Sequence, residues 1–273
     1  MKKIIVPLFF FILACGNELN DEPELNQKID IKENISFTPF DGTVFVSNKI
    51  LTSSDNTDFT FLKNVPNEER TMFDRRINKD AKDYAHGSWI TITPFLFIAF
   101  FSDGTEIEVQ VNDEFENSSN AEIVALKYLE VIGKLPKLFR KEVETVWIHK
   151  GNEDFGGGNN NLLIHHERGL EYEKSGFLEE VFLHEAAHTS LDSDHSSSKG
   201  WINAQIADKG NFISYYAKEY PKREDIAETF PLCFALEYKR ERLEEDVIQK
   251  IEKAIPNSCL LYTSDAADDM QCV

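Results

Sequence analysis

Two histidines four residues apart on an apolar helix, with a glutamate directly after the first, constrain this chain more than any other feature. The segment is His184-Glu185-Ala186-Ala187-His188. Phe177, Leu178, Val181, Phe182, Leu183, Ala186 and Ala187 make the helix expected over 177–190 apolar on most sides, hence buried. Residues four apart share a helix face, one turn separated. Burying two imidazoles and a carboxylate is costly unless something pairs them. A divalent cation does so, because two imidazoles on one face supply half of a tetrahedral zinc site. Glu185 then points about a quarter turn away and reaches a water on the open position. The spacing points to metal-assisted hydrolysis, with His184 and His188 as ligands and Glu185 as the base.

A third protein ligand is required. Glu224 and Glu228 stand in Arg223-Glu224-Asp225-Ile226-Ala227-Glu228 and share a helix face by the same four-residue rule. One can bind the metal while the other accepts the N–H of a ligating imidazole. Asp194 and His195 are rival ligands. Asp194 falls where a metzincin places its third ligand, but Leu191 occupies the position where that turn wants glycine.

A His-Glu-x-x-His helix followed by a helix with a ligating glutamate resembles the gluzincins, thermolysin-like zinc peptidases. Tyr216-Ala217, Pro221 and Glu224-Asp225-Ile226-Ala227-Glu228 look most like the anthrax lethal factor and Mlc-titration-factor branches. The resemblance covers roughly 178–236. It implies an α+β, zincin-like catalytic domain with a mixed sheet and Zn2+ as cofactor. It implies Glu224 as the ligand, Glu228 as the partner of a ligating imidazole, and Tyr216 near the place of an oxyanion-stabilising tyrosine. The spacing from Tyr216 is one residue longer than the family pattern, so Tyr215 and Tyr220 compete for that role. The implied activity is peptide-bond hydrolysis on a peptide or protein substrate. The alternatives are a non-catalytic surface binding protein on the same scaffold, or an amidase acting on peptidoglycan peptides.

The remaining sequence suggests where such a protein works. Lys2 and Lys3 precede an apolar run over 4–13, too short to span a bilayer and of signal-peptide size. It ends in Ile12-Leu13-Ala14-Cys15, which resembles a bacterial lipobox. That resemblance implies lipidation at Cys15 and an extracytoplasmic, membrane-anchored location in the cell envelope. Residues 1–15 are thus expected to be the leader and the polar stretch 16–34 a flexible tether. The formal charge of −19 repels phosphate, which argues against nucleic-acid partners.

Along the chain, 35–115 reads as a small β-rich module and 116–257 as the catalytic domain. Strands are expected at 43–46, across 89–101, at 106–111 after the turn Ser102-Asp103-Gly104-Thr105, at 143–149 and at 162–165. Helices are expected over 121–132, 137–142, 177–190, 222–243 (bent by Pro231) and 244–254. The run Gly156-Gly157-Gly158-Asn159-Asn160-Asn161 reads as a loop before a cleft-bordering strand on which His165 and His166 face opposite ways. Cys233 is expected to be a buried thiol, in a chain without disulfides. The tail 258–273, with Cys259 and Cys272, lacks periodicity and resembles translated sequencing-adapter read-through, so no function is read from it.

Overall fold

Alternation along two neighbouring segments builds the centre of the sheet. Strands β4 (Phe95–Phe101) and β5 (Glu106–Val111) form an antiparallel hairpin across the expected turn. A computed structural model describes residues 38–77 and 87–261. In it the hairpin joins β1 (Phe59–Asn64), β6 (Thr145–His149), β7 (Gly156–Gly158) and β8 (Asn161–His165) in one six-stranded sheet. The strand order is β1-β4-β5-β6-β8-β7. The β5–β6 and β6–β8 pairs are parallel and the rest antiparallel, so the sheet is mixed and the class is α+β. The boundary expected at 115/116 does not separate two bodies, because β5 from the first half pairs directly with β6 from the second.

One sheet face is apolar. Phe97, Ala99, Ile107, Val109, Val146, Ile148, Leu162 and Ile164 lie in register and are buried in the core. Helix α1 (Ser118–Ile132) and helix α4 (Leu178–His195) supply the facing side chains. Asn117 caps α1, its side chain accepting the Asn120 N–H. Short α2 (Lys137–Arg140) leads into β6, and α3 (His166–Ser175) follows β8. Helices α5 (Lys199–Ala207) and α6 (Tyr215–Glu219), each capped by a serine, were not among the expected elements. Helix α7 (Asp225–Tyr238) carries Pro231, and α8 (Glu245–Ala254) closes the core.

The opposite sheet face mixes polar residues such as Glu108, Gln110, His149 and His165 with apolar Leu96, Trp147 and Leu163, and it lies under a separate two-stranded ribbon, β2 (Arg70–Asp74) and β3 (Ser88–Ile92). Trp89 meets Trp147 edge-on, and Arg70 pairs with Glu108. Thr93 and Pro94 split the expected 89–101 strand in two, since proline cannot donate to a ladder. Beneath the ribbon, Asp74 approaches the stacked imidazoles of His149 and His165. Burial pushes His149 down to about 4 and lowers His165 as well, so both stay neutral.

Three local expectations need correcting. Residues 43–46 form turns, because the Thr43 backbone is committed to a side chain of α7. The three glycines form strand β7 and not a loop; strand propensity disfavours glycine, but at Gly157 helix α4 packs too close for any side chain. Cys233 and Cys259 form a disulfide, 5.0 Å between Cα atoms, because the chain after α8 folds back onto α7. Asp208 receives hydrogen bonds from Asn257 and Ser258, which docks the start of the segment set aside as a tail. Neither bonded cysteine lines the cleft. Cys15, the leader and tether (1–34), and residues 262–273 with Cys272 lie outside the described residues. Among the described residues, no helix is long and apolar enough to cross a membrane.

Candidate metal centre

Helix α4 is the pedestal of the site. It is wedged between α7 and β7, with Ala186, Ala187 and Leu191 fully buried. That orientation turns His184 and His188 towards α7, with ring centroids 4.8 Å apart. Glu224, at the N-terminal boundary of α7, meets them there. One oxygen, Glu224 Oε2, lies 3.1 Å from His188 Nε2 and 3.6 Å from His184 Nε2. One ligand atom from each residue lies within 4.8 Å of the others, so His184, His188 and Glu224 can hold a metal ion.

The outer contacts orient these donors. Glu228, one turn along α7, places Oε1 3.3 Å from His184 Nδ1. Its other oxygen accepts the Thr43 backbone N–H at 2.9 Å, and the Thr43 hydroxyl donates to the Glu228 carbonyl. His188 Nδ1 donates to Asp192 Oδ2 at 2.7 Å. Each imidazole therefore has a carboxylate at Nδ1, which leaves both Nε2 atoms facing Glu224. Arg223 Nε donates to the remaining Glu224 oxygen at 2.7 Å.

Electrostatics show what the cluster lacks in isolation. Burial disfavours charge on His184, yet hydrogen bonds to Glu224 and Glu228 push it up to about 10. Burial likewise opposes charge on His188, but Asp192 and Glu224 raise it to about 9. Burial would raise Glu224, but the two imidazoles hold it well below the carboxylate range. The carboxylates thus recruit positive charge into a buried site, which two protons or one divalent cation can supply. Two nitrogens and one oxygen converging on one point are a donor set that suits zinc.

A cleft of about 720 Å³ opens over this cluster. Glu185 lines it, as do Tyr216, Gly157 and Arg75. Burial and the Glu224 carboxylate push the Tyr216 phenol up to about 12, so it remains a donor. Of the three candidate tyrosines only Tyr216 lines the cleft; Tyr215 is exposed and Tyr220 donates to Glu219.

Asp194 and His195 are not among the gathered ligands. Helix α4 continues through His195 instead of turning at Leu191. Asp194 consequently points away from His188, and His195 lies two turns farther along. Neither His165 nor His166 reaches the cleft: His165 is buried under the ribbon and His166 contacts the Tyr128 hydroxyl. Nor is β8 outermost at this end of the sheet; among the described residues β7 is, and its Gly157 lines the cleft. Asp192 and Thr43 had no expected role. The four-residue step from His188 to Asp192 was a usable signal, whereas no local pattern marks Thr43.

Two residues beside the site carry strong expectations. A Cβ on Gly157 would stand 1.8 Å from the Glu185 carbonyl oxygen. Gly157→Ala must force β7 from α4, with an expected loss of about 1–3 kcal/mol in denaturant titration. Glu180, one turn before His184, is 3% exposed and burial raises it to about 8. It is protonated in the fold and ionises near 4.5 when unfolded, so stability falls as pH rises between these values. Glu180→Gln should abolish that slope. Denaturation midpoints at pH 5 and pH 9 should show a gain for the variant that is larger at pH 9.

No family model matches this sequence, and no curated protein or solved structure was found to match it.

Proposed function

We propose that this chain is a zinc-dependent peptide hydrolase of zincin-like fold, anchored at the bacterial cell envelope through Cys15. The observation that carries the reading is the convergence of His184, His188 and Glu224 beneath an open cleft that Glu185 also lines. Zinc held by these three residues would polarise a scissile carbonyl and acidify a water. Glu185 takes the proton from the attacking water and delivers it to the leaving amine. The Tyr216 hydroxyl donates to the developing oxyanion. Asp192 and Glu228 keep both imidazoles in the tautomer that presents Nε2.

A peptide substrate is favoured by β7, which among the described residues is the outermost strand on the cleft side of the sheet. An extended chain can add to that edge by backbone hydrogen bonds, and glycines there leave room for close approach. The decisive test is a screen of casein, a peptide library and purified cell wall, with zinc and with chelator. Chelator-sensitive cleavage of casein or peptides is the expected result. Release of cell-wall fragments alone would move the substrate to peptidoglycan peptides. Binding without turnover on every substrate would leave a non-catalytic receptor.

A further inference from the structure

The cleft's charged groups are nearly all paired. Glu224 serves His184, His188 and Arg223, and Glu228 serves His184 and Thr43. Asp192 serves His188, and Asp154 is held by Arg168 and the Tyr172 hydroxyl. Glu153 is engaged as well. Among the described residues, two charged groups lining the cleft have no ion-pair partner: Glu185, whose task is proton transfer, and Arg75.

Arg75 is placed with care. Its neighbour Asp74 accepts the Arg76 backbone N–H and also grips the Arg76 guanidinium at 2.7 Å. Arg76 further pairs with Glu114. This knot, seated over His149 and His165, fixes the turn that carries Arg75. The Arg75 guanidinium lies over the start of β7, since a Cβ on Gly156 would stand 2.7 Å from Nη2. Gly157, the next residue, packs on the other face against the Glu185 backbone. Side chains of a strand alternate between faces. A peptide added to the β7 edge would direct alternate side chains towards α4 and towards the ribbon, where Arg75 waits.

We propose that Arg75 grips a carboxylate of the peptide substrate on the ribbon side of β7 and makes the cleft selective for acidic peptides. This rests on the peptide-hydrolase reading above. A half-buried, unpaired guanidinium suits a carboxylate because its fork makes two parallel N–H···O bonds. In a chain of −19, the one cleft guanidinium without an ion-pair partner among the described residues also fixes where such a substrate can sit.

The test uses four dipeptide hydroxamates on the zinc-loaded full chain. They carry Glu or Gln, each with a free or an amidated C-terminus, and binding is read by calorimetry. The uncharged probe tests the metal cleft itself. Acid-bearing probes are expected to bind about tenfold tighter or more. Whether the side-chain or the terminal carboxylate gives the gain identifies the group that is read. Arg75→Ala should erase the gain and leave the uncharged probe unchanged, and Arg75→Lys should keep part of it. Equal binding of all four probes, or a preference that survives Arg75→Ala, overturns the inference while leaving the hydrolase reading intact. Failure of all four to bind overturns the metal cleft and this inference with it.

Discussion

Glu185→Gln should retain the metal, the fold and peptide binding, and lose hydrolysis by about 10²–10⁴-fold. The amide is isosteric but cannot take a proton from water. Glu185 is not among the three gathered ligands, so the donor set survives the change. It makes no side-chain ion pair in the described structure, so its removal leaves no buried charge unpartnered. Metal analysis, thermal melting and single-turnover assays on one preparation separate these effects. Undiminished cleavage by the variant would remove Glu185 from the chemistry and leave the motif as a binding device.

Glu224→Ala should empty the centre. It deletes the one oxygen on which both Nε2 atoms converge. Removing an outer partner of a metal ligand costs about 10–100-fold in affinity, so Asp192→Asn and Glu228→Gln set the lower scale. Loss of the ligand itself should exceed it, more than about 100-fold in a zinc competition titration. Substituting Asp194 or His195 should change nothing, since the helix carries both out of the cluster. Full zinc stoichiometry in Glu224→Ala would mean that the third donor is elsewhere.

These two expectations rest on residues of unequal legibility. His184, Glu185 and His188 can be read from sequence because a helix fixes their relation locally. The four-residue step from Glu224 to Glu228 marks a second helical face, but residue types alone leave open which is ligand and which is support. In the fold Glu224 precedes α7 and faces both rings, whereas Glu228 sits one turn in, against Thr43. Asp192 was visible on the right face and overshadowed by the Asp194-His195 pair beside it. The β7 strand was hidden because glycine runs read as loops, and the close approach of α4 that requires Gly157 is a tertiary feature. The joining of β5 to β6 was equally invisible, since parallel pairing across α1 and α2 leaves no turn signature. Arg75 gave no signal; its meaning comes from which of its neighbours have partners.

The bond from Thr43 to Glu228 links residues 185 positions apart. On a nascent chain the motif helix is made well before Glu224 and Glu228 exist. Until then His184 has neither its orienting carboxylate nor its companion donor, and the cation has nowhere complete to settle. The capacity to hold a cation therefore arises late, once segments near both ends of the described chain have met.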